Sequence, residues 1–181
     1  MKKKILVPVV ATLMLLSCMV GGTLAYLVDT TEAVENTFTV GNVNIALTES
    51  EELDLKMVPG KTLKKDPTVT VKADSEDCWL FVKVGESTNL DDFISYGVDD
   101  GWNALDGVDG VYYREVEAST EDKEFNVLTD DTVRVLGTVT KEKLDDLTKE
   151  TLPKLTFTAY AVQKEGFDTA ASAWEEAVKT K

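Results

Sequence analysis

The chain of 181 residues is acidic, with 33 Asp and Glu against 19 Lys and Arg, a net charge of −14 and no histidine. That length holds one domain with a core of its own. The acidic balance excludes the basic footprint of nucleic-acid binding, and the missing imidazoles exclude Ser-His-Asp and Cys-His catalysis, the helical His pair of zinc proteases and nearly all catalytic zinc sites.

The first 25 residues differ in kind from the rest. Lys2, Lys3 and Lys4 form a basic head, Ile5 to Val20 carries no charge, and "GGTLA" closes the run with small residues. This pattern predicts a signal helix, with Thr23 and Ala25 at the positions a signal peptidase reads and a cut between Ala25 and Tyr26. Two alternatives stay open. Ile5 to Ala25 is also long enough to be retained as a membrane anchor, and "LLSC" loosely resembles a lipoprotein signal with Cys18 as the lipidated residue. Loss of Lys2, Lys3 and Lys4 leaves 16 basic side chains against 33 acidic ones, a net charge of −17. Such a chain gains no electrostatic grip on anionic lipid. Any self-assembly must be sensitive to salt, pH or divalent cations, which screen the repulsion. One cysteine, Cys78, is then left, so no intramolecular disulfide forms and the core alone stabilises the fold.

From Tyr26 the chain reads mainly as β. Residues 26–35 form an N-terminal segment, and 36–181 form the domain. "NTFTVGNVNIAL" alternates with one slip, which a bulge at Gly41-Asn42 repairs, placing Phe38, Val40, Val43, Ile45 and Leu47 on one face. Pro59-Gly60 marks a turn. Thr68 to Lys72 alternates as a short strand. "CWLFVKV", Cys78 to Val84, is apolar on both faces and is predicted to be a central strand, with Cys78 a small buried hydrophobe rather than a reactive thiol.

"NLDDFISY" predicts a short helical turn. The loop "VDDGWNALDGVDG" carries Asp99, Asp100, Asp106 and Asp109. These hard oxygen donors make a weak Ca²⁺ candidate, set against a plain solvated turn; no other cofactor is indicated. Trp102 reads as a core cap. Strands follow at Val111 to Val116, where Tyr112 and Tyr113 point to opposite faces and one is expected outward, and at Thr132 to Gly137. Thr140 to Glu150 reads as helical with Leu144 and Leu147 inward. Lys154 to Gln163 alternates, with Leu155, Phe157, Ala159 and Ala161 on one face. A last helix has Asp168 as N-cap and Ala170, Trp174, Ala177 and Val178 as its apolar stripe. Short strands with helices only as trim predict a β-sandwich of the jelly-roll or immunoglobulin-like kind with a few short peripheral helices.

The N-terminal stretch resembles a known family. Gly21, Gly22 and Thr23, then Ala25 and Tyr26 at the cut, Asp29, and the strand start Asn36, Phe38 and Gly41 are similar to the TasA/camelysin-like proteins. These are Gram-positive exports processed by the SipW-type, ER-like signal peptidase. "MVPGKTLKKDPTVTVK", "GWNALDGVDGVYYREV" and "FTAYAVQKEGF" match the family's later segments more loosely. The resemblance implies a jelly-roll-like sandwich and a secreted, non-enzymatic structural protein of the biofilm matrix or cell surface. It also implies head-to-tail polymerisation with itself or with related matrix proteins. In that arrangement the segment Tyr26 to Asn36 of one subunit completes the sheet of the next, with Tyr26, Leu27, Val28 and Val34 as anchors. Contact with the membrane is then limited to the uncleaved signal segment. Two other functions stay open: a non-polymerising adhesin or binding module, and the metalloprotease that some camelysins are labelled as. The absence of histidine departs from the latter.

Overall fold

A computed structural model of the protein describes residues 42–50 and 56–179. The signal helix, the cut at Ala25 and Tyr26, Cys18, the anchors Tyr26, Leu27, Val28 and Val34, and Phe38, Val40 and Gly41 lie outside the described residues.

The described chain forms β1 (Ile45–Thr48), β2 (Thr62–Lys64), β3 (Thr68–Val71), β4 (Cys78–Glu86), β5 (Ile94–Val98), β6 (Asn103–Ala104), β7 (Val111–Val116), β8 (Lys123–Asn126), β9 (Leu128–Val135), α1 (Lys141–Asp145), β10 (Leu155–Gln163) and α2 (Ala170–Lys179). All strand pairs are antiparallel. One sheet runs β10-β4-β7-β6, and two others run β1-β3-β8 and β2-β9-β5. The last two are continuous. Only Val127 separates β8 from β9, its N–H donates to the Pro67 carbonyl at 2.9 Å, and the Lys65 N–H donates to that of Asp131 at 2.8 Å. They form one layer facing the four-stranded sheet, which gives the expected mainly-β sandwich.

The layers enclose Val69, Val71, Cys78, Leu80, Val82, Val116 and Val127, all buried. β4 alternates between two destinations, as the pleat demands. Cys78, Leu80 and Val82 enter this inter-layer core. Trp79 and Phe81 point the other way, where α2 covers them with Ala170, Ala173 and Trp174. That second cover explains why β4 is apolar on both faces. Cys78 is fully buried, and burial pushes its thiol up to about 11, so it is an inert core residue.

Several expectations need correction. Thr169, not Asp168, caps α2: its Oγ1 accepts from the Ser172 N–H at 3.2 Å, the bond that defines an N-cap. Within that helix Ala173 is buried and Val178 is 45% exposed, so the buried stripe is Ala170, Ala173 and Trp174, with Ala177 beside it. Neither tyrosine of β7 is left outward. Tyr112 packs on the inter-layer core, and Tyr113 lies against Trp79 and Phe81, because both faces of that sheet are covered. Val43 and Ile45 pack on the core, but Leu47 in the same row is 38% exposed. The short helical turn expected in "NLDDFISY" is present as the 3₁₀ turn Leu90–Asp92, before β5. The helix expected over Thr140 to Glu150 is only Lys141–Asp145, capped by Thr140, with Leu144 and Leu147 packed inward as expected.

Candidate functional site

The acidic loop does not assemble into a cage. Asp99 is half-buried, while Asp100, Asp106 and Asp109 are exposed. The Asp99 carboxylate accepts from the Gly101 N–H at 3.1 Å, and its charge acts on Arg114. Arg114 lies over the Phe125 ring at 4.0 Å and the Trp102 ring at 5.4 Å, a stacked cation that closes one end of the inter-layer core. Burial pushes its pKa down and Asp99 opposes the shift. Among the described residues no three His, Cys, Asp or Glu side chains gather around a common point. The loop is occupied by turn geometry, with Gly107 and Gly110 at positive φ. Trp102 is the expected core cap: it is buried, and its indole N–H donates to the Asn126 carbonyl at 2.8 Å. The inward position of Arg114 went unread, although its two-residue spacing from Tyr112 carries that signal.

A concavity lies elsewhere among the described residues, lined by parts of β1, β2 and β10. It is an open groove of about 540 Å³. Leu63 and Ile94 form its floor, Leu155 and Phe157 one wall, and Leu47 and Leu152 its rim. The rim leucines are 38% and 42% exposed, large apolar side chains only partly covered by the described residues. Lys65 and Lys154 also line the groove, and Lys65 pairs with Glu49 above the Phe157 ring. No sequence pattern announced this feature, since its residues come from five strands, the 3₁₀ turn at Leu90 and the connections between them. Its described lining is mainly apolar, with Glu49, Lys65, Lys154 and Thr156 as its polar members.

Asp66 fastens the chain beside the groove. Its carboxylate pairs with Lys64 at 2.8 Å and accepts from the Ser50 N–H at 3.0 Å and hydroxyl at 2.6 Å. The Lys64 and Ser50 bonds hold its carboxyl well below the ordinary 3.8. Because the folded-state value is depressed, the stabilisation is complete above 3.8 and is lost as pH falls through the folded value. Denaturation midpoints of wild type and Asp66→Asn are therefore expected to differ by a constant amount above about pH 5 and to draw together progressively as pH falls below about 4. A gap that is independent of pH would contradict this.

The comparisons with known proteins bear on the N-terminal half. Residues 1–78 match the family model described as camelysin metallo-endopeptidase. That stretch is TasA/camelysin-like. The match runs from the lysine head to the start of β4, and so includes the Gly-Gly-Thr exit, the first strand and β3. No match was found among curated proteins or among solved structures. The family's name implies a metal, and the residues here do not fit one: the chain has no histidine, and its described carboxylates do not gather. No hydrolytic step follows from them. Among the described residues no helix is long and apolar enough to cross a membrane.

Proposed function

We propose that this chain is an exported structural protein, a subunit of extracellular biofilm-matrix or cell-surface fibres of a Gram-positive bacterium. The carrying observation is the camelysin match over residues 1–78, which takes in the export signature and the first strands together. A sandwich with a covered core and an apolar groove suits a building block better than an enzyme. In this reading an ER-type signal peptidase cuts after Ala25 and frees Tyr26 to Asn36. That segment then adds to the sheet of the next subunit. Main-chain hydrogen bonds supply affinity and alternate side chains supply register. Head-to-tail addition of this kind does not close and gives filaments. The cut is the switch, since the donor stays tied to the membrane until it is made.

Electron microscopy of the protein as secreted by a Gram-positive host is expected to show filaments, more readily as salt or Ca²⁺ screens the charge of −17. Deleting Tyr26 to Glu35 is expected to abolish them while leaving a folded monomer. Filaments that persist without the segment place the donor elsewhere. A wild type that never assembles favours the binding-module alternative, and chelator-sensitive casein cleavage would restore the protease.

A further inference from the structure

The loop "VDDGWNALDGVDG" repeats one dipeptide: Asp100-Gly101, Asp106-Gly107 and Asp109-Gly110. Each copy occupies the two central positions of a β-turn. The Trp102 N–H donates to the Asp99 carbonyl at 3.0 Å, the Val108 N–H to that of Leu105 at 3.2 Å and the Val111 N–H to that of Val108 at 3.4 Å. Asp100, Asp106 and Asp109 are all exposed. In each pair a carboxyl group stands one residue before an amide nitrogen that glycine leaves unshielded, since it has no Cβ to bar an approach. That arrangement permits ring closure. The glycine nitrogen attacks Cγ of the protonated aspartate, its N–H proton and the carboxyl hydroxyl leave as water, and a five-membered succinimide forms. Water then opens the ring. Opening at the Cγ carbonyl restores aspartate. Opening at the main-chain carbonyl gives isoaspartate, whose backbone runs through the side-chain methylene. Water is the only co-reactant, and the mass is unchanged.

The fold treats the three pairs differently. Ring closure requires the Asp–Gly peptide to turn about the aspartate Cα–C bond, so the glycine must be free to move. Gly101 is held: its N–H donates to the Asp99 carboxylate at 3.1 Å, and the Arg114 guanidinium lies 3.0 Å from the point where a Cβ would stand. Gly110 is held harder. Its carbonyl accepts from the Val84 N–H at 2.7 Å, and its Cβ point lies 2.6 Å from the Val84 carbonyl oxygen. Turning that peptide would pull the start of β7 away from β4. Gly107 has neither restraint. Nothing stands within 4 Å of its Cβ point. Among the described residues, neither its N–H nor the Asp106 carboxylate has a hydrogen-bond partner.

We propose that Asp106 is a spontaneous modification site of the folded protein. Its bond to Gly107 isomerises through a succinimide to isoaspartate, while the same dipeptides at Asp100 and Asp109 are protected. The product keeps its carboxylate, so the charge of the protein does not change. The added main-chain methylene falls inside a turn whose base is fixed independently. The Leu105 N–H donates to the Val111 carbonyl at 2.9 Å, and the Leu105 side chain is buried in the cluster under α2. The lengthened chain is therefore taken up within the loop, and the isomerised protein stays folded. At Asp109 the same methylene would displace Gly110 from β4. The isoaspartate fraction at Asp106 rises with time since synthesis and marks the age of each molecule. This holds for the single chain and does not depend on assembly.

The test ages the secreted protein and reads the three sites together. Protein is held warm at neutral pH in water enriched in heavy oxygen, so that each passage through the ring leaves one labelled oxygen. Peptide mapping by mass spectrometry, with electron-transfer fragmentation to tell isoaspartate from aspartate, gives a rate for each site. A parallel sample is kept in concentrated urea, where the restraints on Gly101 and Gly110 are gone. In urea the three sites are expected to react at similar rates. In the folded protein Asp106 is expected to react at least tenfold faster than Asp100 or Asp109. Asp106→Asn reaches the same ring by losing ammonia. It is expected to convert faster, to a mixture of aspartate and isoaspartate visible in the intact mass. Gly107→Ala, which shields the nitrogen, is expected to suppress labelling at Asp106. Absence of label at Asp106 from folded protein overturns the proposal, as do equal rates at the three folded sites. A loss of folded protein in step with the label also overturns it, since the reaction would then belong to unfolded chains.

Discussion

Replacing Phe81 with alanine is expected to lower the unfolding free energy by about 3–5 kcal/mol, the cost of emptying a fully enclosed aromatic site. Phe81 is completely buried on the outer face of β4, the central strand of its sheet. Its ring lies 5.3 Å from that of Trp174 on α2 and 6.4 Å from that of Tyr113 on β7, so the cavity would open where helix and sheet meet. Single domains are stable by only about 5–15 kcal/mol, so the loss takes a large share of the total. With no described disulfide to hold the chain, nothing covalent offsets it. Val178→Ala on the same helix is the control. Val178 is 45% exposed, and its truncation should stay within about 0.5 kcal/mol. Urea denaturation of the three proteins reads both values. A Phe81→Ala cost below about 1.5 kcal/mol would mean that α2 does not seal the sheet.

That contrast shows which parts of the fold were legible in the sequence. Strands β3, β4, β7 and β10 alternate over enough residues for the period to show, and β4 was readable as central because both of its faces are apolar. β8, "KEFN", was not: four residues with two charges carry no period, and the strand exists because β3 pairs with it. β9 starts at Leu128 rather than Thr132. Asp130 and Asp131, at φ +54 and +53, form an irregularity inside the strand, where pairing with β5 jumps from Tyr96↔Val133 to Val98↔Leu128. Local rules also failed where tertiary cover decided the outcome. Two tyrosines on opposite faces imply one outward only if one face is bare, and α2 covers the second. The groove was invisible for a related reason. Leu47, Leu63, Ile94 and Leu155 each satisfy their own strand's pattern, and only the layering reveals that no described strand lies over them. The resemblance of the first 78 residues was legible because it rests on contiguous motifs.

Gly110→Ala is expected to cost about 2–4 kcal/mol, combining left-handed backbone strain with a steric clash. Gly110 sits at φ +69, immediately before β7, where L side chains are disfavoured. A Cβ there would lie 2.6 Å from the Val84 carbonyl oxygen, which is backbone in the central strand and cannot swing aside. The same glycine's carbonyl accepts from the Val84 N–H at 2.7 Å, so retreat from the clash also breaks the bond that continues the β4–β7 ladder. Gly107→Ala, three residues earlier, separates the two contributions. It has φ +78 but nothing within 4 Å of its Cβ position, and should cost only the backbone strain of about 1–2 kcal/mol. Equal losses at the two sites would show that β4 and β7 can part without penalty. A larger loss at Gly110 would show that the turn "DGVDG" is built to start a strand. Asp106 and Asp109 stand immediately before these two positive-φ glycines, so the same turn that starts β7 fixes where they lie in the loop.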